Sequence, residues 1–119
     1  MIIEYDKEYL EQLYYSGKCK DKKYRYQPQV ITKYQRRIDT LISANRIEDL
    51  FVFNSLNFEA IDPINKIFSI RIDYHYRLLI QIRITDTEPI VTIANIIDIS
   101  NHYLIALLLF FLKILLSKA

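Results

Sequence analysis

In the stretch FSIRIDYHYRLLIQIR, residues 68–83, Arg71, Arg77 and Arg83 share one face with Ser69, Leu79 and Gln81, and Tyr74, His75 and Tyr76 mark the bend. Side chains alternate across a strand, so Phe68, Ile70, Ile72, Leu78, Ile80 and Ile82 form the other face, which a core must cover. A second cationic stretch, KCKDKKYRYQPQVITKYQRR, holds Lys18, Lys20, Lys22, Lys23, Arg25, Lys33, Arg36 and Arg37 against Asp21 alone, interleaved with Tyr24, Tyr26 and Tyr34. Clustered cations attract phosphate, and aromatic rings among them can stack on bases. A solvated loop and helix face with no partner would have the same composition. RNA cleavage through the internal 2′-OH needs a base, an acid for the leaving 5′-oxygen, and cations around the crowded phosphate. Arg, Lys, His and Tyr supply all of these without a metal or cofactor.

Other chemistries lack their residues. Two histidines without a close carboxylate cluster make no convincing metal site, and the lone Cys19 lies between lysines without the neighbours of a catalytic thiol. A single Gly excludes a Gly-rich phosphate loop. One unpaired Cys fits a reducing compartment, and the opening MIIEYDKEYLEQLYY has charges where a secretory signal would be apolar, so a cytoplasmic protein is expected.

The elements that must position these residues follow from periodicity. The 119 residues, 51% hydrophobic and 25% charged with a net charge of +2, suit one domain with one core. MIIEY reads as a strand. DKEYLEQLYYSG reads as a helix with Asp6 as N-cap, Tyr9, Leu10, Leu13 and Tyr14 on one stripe, and Gly17 as its stop. A second helix begins at Pro28. Its apolar stripe is Val30, Ile31, Tyr34, Ile38, Leu41 and Ile42, with Lys33, Arg36, Arg37 and Thr40 opposite. Residues 45–66 have mixed periodicity and read as a short helix and a loop broken at Pro63.

In the hairpin, pairing Ile72 with Leu78 sets Asp73 against Arg77 and leaves Tyr74, His75 and Tyr76 as the connection. PIVTIANIIDIS, residues 89–100, is apolar on both faces, so it is expected inside the sheet, with Asp98, Ser100 and His102 aligned on one side. The fold class is therefore α+β: an N-terminal strand and a helical hairpin packed on a mostly antiparallel sheet of about four strands.

FSIRIDYHYRLLIQIR, followed by ITDTEPIVTIANIIDISNHY and preceded by LFVFNSLNFEA, resembles the toxins of the RelE/ParE superfamily, above all the HigB-type killer proteins of bacterial toxin-antitoxin modules. The likeness covers residues 1–103. It implies a RelE-like small α+β domain that is a ribosome-dependent mRNA endonuclease and causes growth arrest. A HigA-type helix-turn-helix antitoxin would silence it, and operator DNA would be reached only through that complex. Under this resemblance Arg71 and Arg77 bind phosphate and stabilise the transition state, His102 serves in acid/base chemistry, and Tyr103 stacks on or positions RNA. Lys66 is the obvious base of IDPINK, where relatives have a Gly- and Lys-rich loop, and Lys33, Arg36, Arg37 and Arg83 would hold RNA in a salt-dependent way. Asp98 stands where the family's Asp-Tyr-His ending begins, with Ile99, Ser100 and Asn101 intervening.

The resemblance leaves two alternatives. A non-enzymatic ParE-like toxin would act by protein binding and would need neither His102 nor Tyr103. A degenerate toxin would serve as a co-repressor with its antitoxin. Residues 104–119, LIALLLFFLKILLSKA, have no counterpart in the family and read as an appended apolar helix. A helix over residues 104–116 would be about 20 Å long, short of the roughly 30 Å bilayer core, and Lys113 interrupts it. It must pack on the body, form a homo-oligomer by burial in another subunit, or lie on a membrane surface.

Overall fold

The computed structural model describes residues 1–101 and 111–117. Within them, two helices take their length and contact face from apolar stripes. α1 (Glu8–Ser16) buries Tyr9, Leu10 and Leu13 and ends at Gly17, whose φ of 73° is the left-handed conformation that a side chain would strain. Gly17 N–H donates to Leu13 O at 3.1 Å. Lys7, with extended backbone, holds the N-cap position that the sequence suggests for Asp6. Asp6 N–H instead donates to Ile96 O at 2.8 Å, which ties the helix entry to the sheet.

α2 (Pro28–Ser43) starts with Pro28 in its first turn, where a missing N–H costs nothing. Its buried stripe is Val30, Tyr34, Ile38 and Leu41, while Ile42 is exposed. The two helices form the expected hairpin. Tyr34 OH donates to Leu10 O at 2.7 Å, and Gln35 Nε2 donates to Leu13 O at 3.1 Å.

The sheet has five strands, one more than the sequence suggests. These are β1 (Ile2–Tyr5), β2 (Glu59–Asp62), β3 (Ile67–Arg71), β4 (Tyr76–Ile84) and β5 (Thr92–Asn101), in the order β1-β5-β4-β3-β2. The additional strand is β2. It follows 3₁₀ turns at Ile47–Leu50 and Asn54–Leu56 and pairs antiparallel with β3. β1 is parallel to β5, and the other pairings are antiparallel. β5 is internal, as its two apolar faces require.

Ile70, Ile72, Leu78, Ile80, Ile82, Ala94, Ile96 and Ile99 form one core with the buried faces of α1 and α2, closed by Leu50 and Leu56. Each fully buried Leu or Ile contributes about 1.5–3 kcal/mol relative to exposure. The switch from Ile96 to Ile99 comes from a bulge. Ile80 pairs with Ile96 but Leu79 pairs with Asp98, leaving Ile97 as the extra residue.

The hairpin register differs from the sequence expectation by two residues. Ile70 pairs with Leu78 and Arg71 with Arg77, so Asp73 lies in the bend rather than opposite Arg77. Its Oδ1 accepts from the His75 and Tyr76 N–H groups, each at 2.8 Å, a local turn that removes Asp73 from the ladder. A last helix, α3, covers residues 111–117, with Phe111, Leu115 and Leu116 exposed. Among the described residues no helix is long and apolar enough to cross a membrane. The tail readings for residues 104–110 lie outside the described residues.

Candidate nucleic-acid interface

Lys33, Arg36 and Arg37 are three and four residues apart on α2, so helical geometry gathers them on one side. Arg71 ends β3 just where the chain leaves the ladder for the Asp73 turn. These two positions share a groove of about 430 Å³, lined by Lys33, Arg36, Arg37 and Arg71 together with Ser55, Ile72, Asp73 and Tyr74. Arg37 Nε donates to Arg71 O at 2.7 Å, fastening the helix to the strand end. Burial pulls the Arg37 pKa below its ordinary value, and the neighbouring charges of Arg36 and Arg71 add to the effect.

The ion pairs among the described residues are Lys7–Asp98, Arg46–Glu48 and Arg83–Glu4, so no groove cation has an acidic partner there. Among the described residues Asp73 is the groove's one carboxylate, and its Oδ1 is already engaged by the turn N–H groups. Tyr74 is 77% exposed and meets His75 edge-on at 5.2 Å between ring centroids.

Arg77 is placed differently from the expectation of an exposed cationic face. It is 2% exposed. Its Nε donates to Ser69 Oγ at 2.8 Å, while an Nη atom donates to Asn57 O and to Ser69 O. Burial lowers its pKa, opposed by Glu59 and reinforced by Arg71. The guanidinium thus braces β4 to β3 and to the segment entering β2. Arg83 lies 2.7 Å from Glu4 and does not line the groove. Lys66 is exposed in the β2–β3 turn with a φ of 56°, at the end of β3 opposite Arg71.

His102 and Tyr103 lie outside the described residues. The last described residue of β5, Asn101, pairs with Tyr76 beside the bend.

The tyrosines considered as base platforms are largely structural. Tyr34 is fully buried. Tyr24 stacks on Tyr9 at 3.7 Å, and Tyr26 meets Tyr76 edge-on at 5.3 Å. Tyr9 OH donates to Asp98, whose other oxygen lies 3.5 Å from Lys7 Nζ. Burial and that carboxylate keep the Tyr9 phenol protonated well above its ordinary range, and burial pushes Tyr26 up to about 12.

No family model, curated protein or solved structure matches this chain. What the groove can do follows from its own charges and shape. Four cations without an acidic partner among the described residues, beside an exposed ring, suit a phosphate-bearing chain with a base to stack. Sequence alone points to Lys33, Arg36, Arg37 and Arg71, but it reads Tyr74 only as a bend residue and gives no sign of Ser55, because residues 45–66 have no periodic signal that would set it beside the hairpin.

Proposed function

We propose that this chain is an RNA-directed toxin of the RelE/ParE superfamily, HigB-like, cutting ribosome-bound message without a metal and held in check by a HigA-type helix-turn-helix antitoxin. The observation that carries this reading is the groove in which Lys33, Arg36, Arg37 and Arg71 converge without an acidic partner among the described residues. The helical hairpin on a mostly antiparallel sheet also supports it, being compatible with the small α+β domain that the resemblance implies.

Arg71 is assigned to the scissile phosphate, where a guanidinium stabilises charge that develops as the 2′-oxygen attacks. Lys33 and Arg36 hold flanking phosphates. His102 moves the proton and Tyr103 positions the nucleotide, both by the family resemblance. Arg77 supports the site by holding β3 and β4 together.

Induced expression in bacteria without an antitoxin tests the proposal. Growth arrest with shortened translated messages is expected, and Arg71→Ala should slow single-turnover cleavage of ribosome-bound message by about a hundredfold or more. Normal growth with intact message and full-length soluble protein would overturn it. One observation favours a second, enzyme-free reading. Arg77 is already engaged inside the protein, which removes one of the two arginines assigned to the chemistry. Loss of DNA supercoiling with RNA untouched would establish that ParE-like alternative.

A further inference from the structure

The groove cations are gathered rather than strung out. Lys33, Arg36 and Arg37 lie within little more than one turn of α2, and Arg71 lines the same groove. An RNA backbone carries one charge per phosphodiester, and proteins that follow it lay their cations along a track. Here a concavity of about 430 Å³ holds, among the described residues, four cations against the single carboxylate of Asp73, a formal excess of three positive charges. Arg36, Arg37 and Arg71 line the same groove, so their like charges repel, and a closely packed polyanion would relieve that repulsion. The chain's only Gly, Gly17, does not line this groove, so the donors would be forked guanidiniums and an ammonium rather than a Gly-rich backbone loop. Tyr74 lines the same groove and is 77% exposed, an aromatic ring on which a base can stack.

Resting on the reading of this groove as a phosphate site, we infer that it takes a nucleoside 5′-triphosphate group, with the phosphates on Arg36, Arg37, Arg71 and Lys33 and the attached base on Tyr74. That group exists on the first nucleotide of a primary transcript and on free nucleoside triphosphates. In the first case the site would select unprocessed 5′ ends. In the second, free nucleotide would compete with RNA for the groove.

Calorimetric titration of the full chain distinguishes these cases. The probes are inorganic phosphate, inorganic tripolyphosphate, ATP, and two short oligoribonucleotides identical except for a 5′-triphosphate or a 5′-hydroxyl. Tripolyphosphate should bind about a hundredfold more tightly than phosphate, and the triphosphorylated RNA more tightly than its twin. Arg36→Gln, at an exposed helix position, should weaken tripolyphosphate binding by about tenfold, and Tyr74→Ala should weaken ATP but not tripolyphosphate. Tighter binding of the triphosphorylated RNA than of ATP assigns the site to transcript ends, and equal binding assigns it to free nucleotide. If the two RNAs bind equally and tripolyphosphate no better than phosphate, the inference is overturned while the groove remains an RNA-backbone site. If neither tripolyphosphate nor either RNA binds, the inference falls together with the reading of the groove as a phosphate site.

Discussion

Arg71 and Arg77 face each other across the hairpin and carry the same charge, yet one lines an open groove and the other is enclosed by Ser69 and the Asn57 carbonyl. Truncating Arg77 would strip buried acceptors of their donors and leave a void. Arg77→Ala should therefore destabilise the fold by about 2–4 kcal/mol in urea unfolding, while Arg71→Ala stays within about 0.5 kcal/mol and loses RNA affinity instead. Equal and small stability effects would show that the Arg77 contacts do not hold the sheet. Alternation could not separate these residues, since both have the same parity and the Asn57 partner comes from an aperiodic segment. A pH effect also belongs to single side chains. Tyr9, Tyr26 and Tyr34 all have pKa values raised by burial above the ordinary value near 10. Above that value the unfolded chain loses phenolic protons that the folded chain keeps, so their contribution to stability is complete below about pH 10 and declines as pH rises further. Alkaline titration followed by tyrosinate absorbance and circular dichroism should show these phenols ionising together with unfolding. Complete tyrosinate formation in a folded protein would contradict their burial.

Among the elements, the helices were legible and the strand register was not. A 16-residue helix repeats its apolar signal often enough to set both length and face, as Val30, Tyr34, Ile38 and Leu41 show. Strand alternation has a period of two, so pairing Ile72 or Ile70 with Leu78 gives the same faces, and pattern alone cannot choose between them. The choice is made by Asp73, whose carboxylate caps the bend. β2 is silent in the sequence because only Ile61 of its four residues is buried, which leaves no alternation to read. The β5 bulge was equally silent, since Ile96, Ile97 and Ile99 are the same residue type whichever side they face. Asp73→Ala should release two N–H groups and cost about 1–2 kcal/mol in thermal or urea unfolding, with Asp73→Asn restoring part of the loss through its amide oxygen. If Asp73→Ala is neutral, the strands rather than the turn fix the register.

At the scale of the whole molecule, a net charge of +2 understates the field that a polyanion would meet. Glu4, Asp6, Glu8 and Glu11 lie in β1, α1 and the bend between them, and Glu4 pairs with Arg83, whereas the groove keeps four cations with no acidic partner among the described residues. A single strand bound there should release counterions in proportion to the phosphates that those cations neutralise. The logarithm of its association constant should therefore fall against the logarithm of salt concentration with a slope of about −3, roughly 0.7 for each cation engaged. Arg36→Gln should flatten that slope by about 0.7, whereas Arg83→Gln should leave it unchanged, because Arg83 is paired 2.7 Å from Glu4 and does not line the groove. Fluorescence anisotropy of a labelled oligoribonucleotide across a salt series measures both. An equal change in the two variants would mean that RNA responds to the diffuse charge of the whole surface, and the convergence of α2 with the end of β3 would then have no special part in binding.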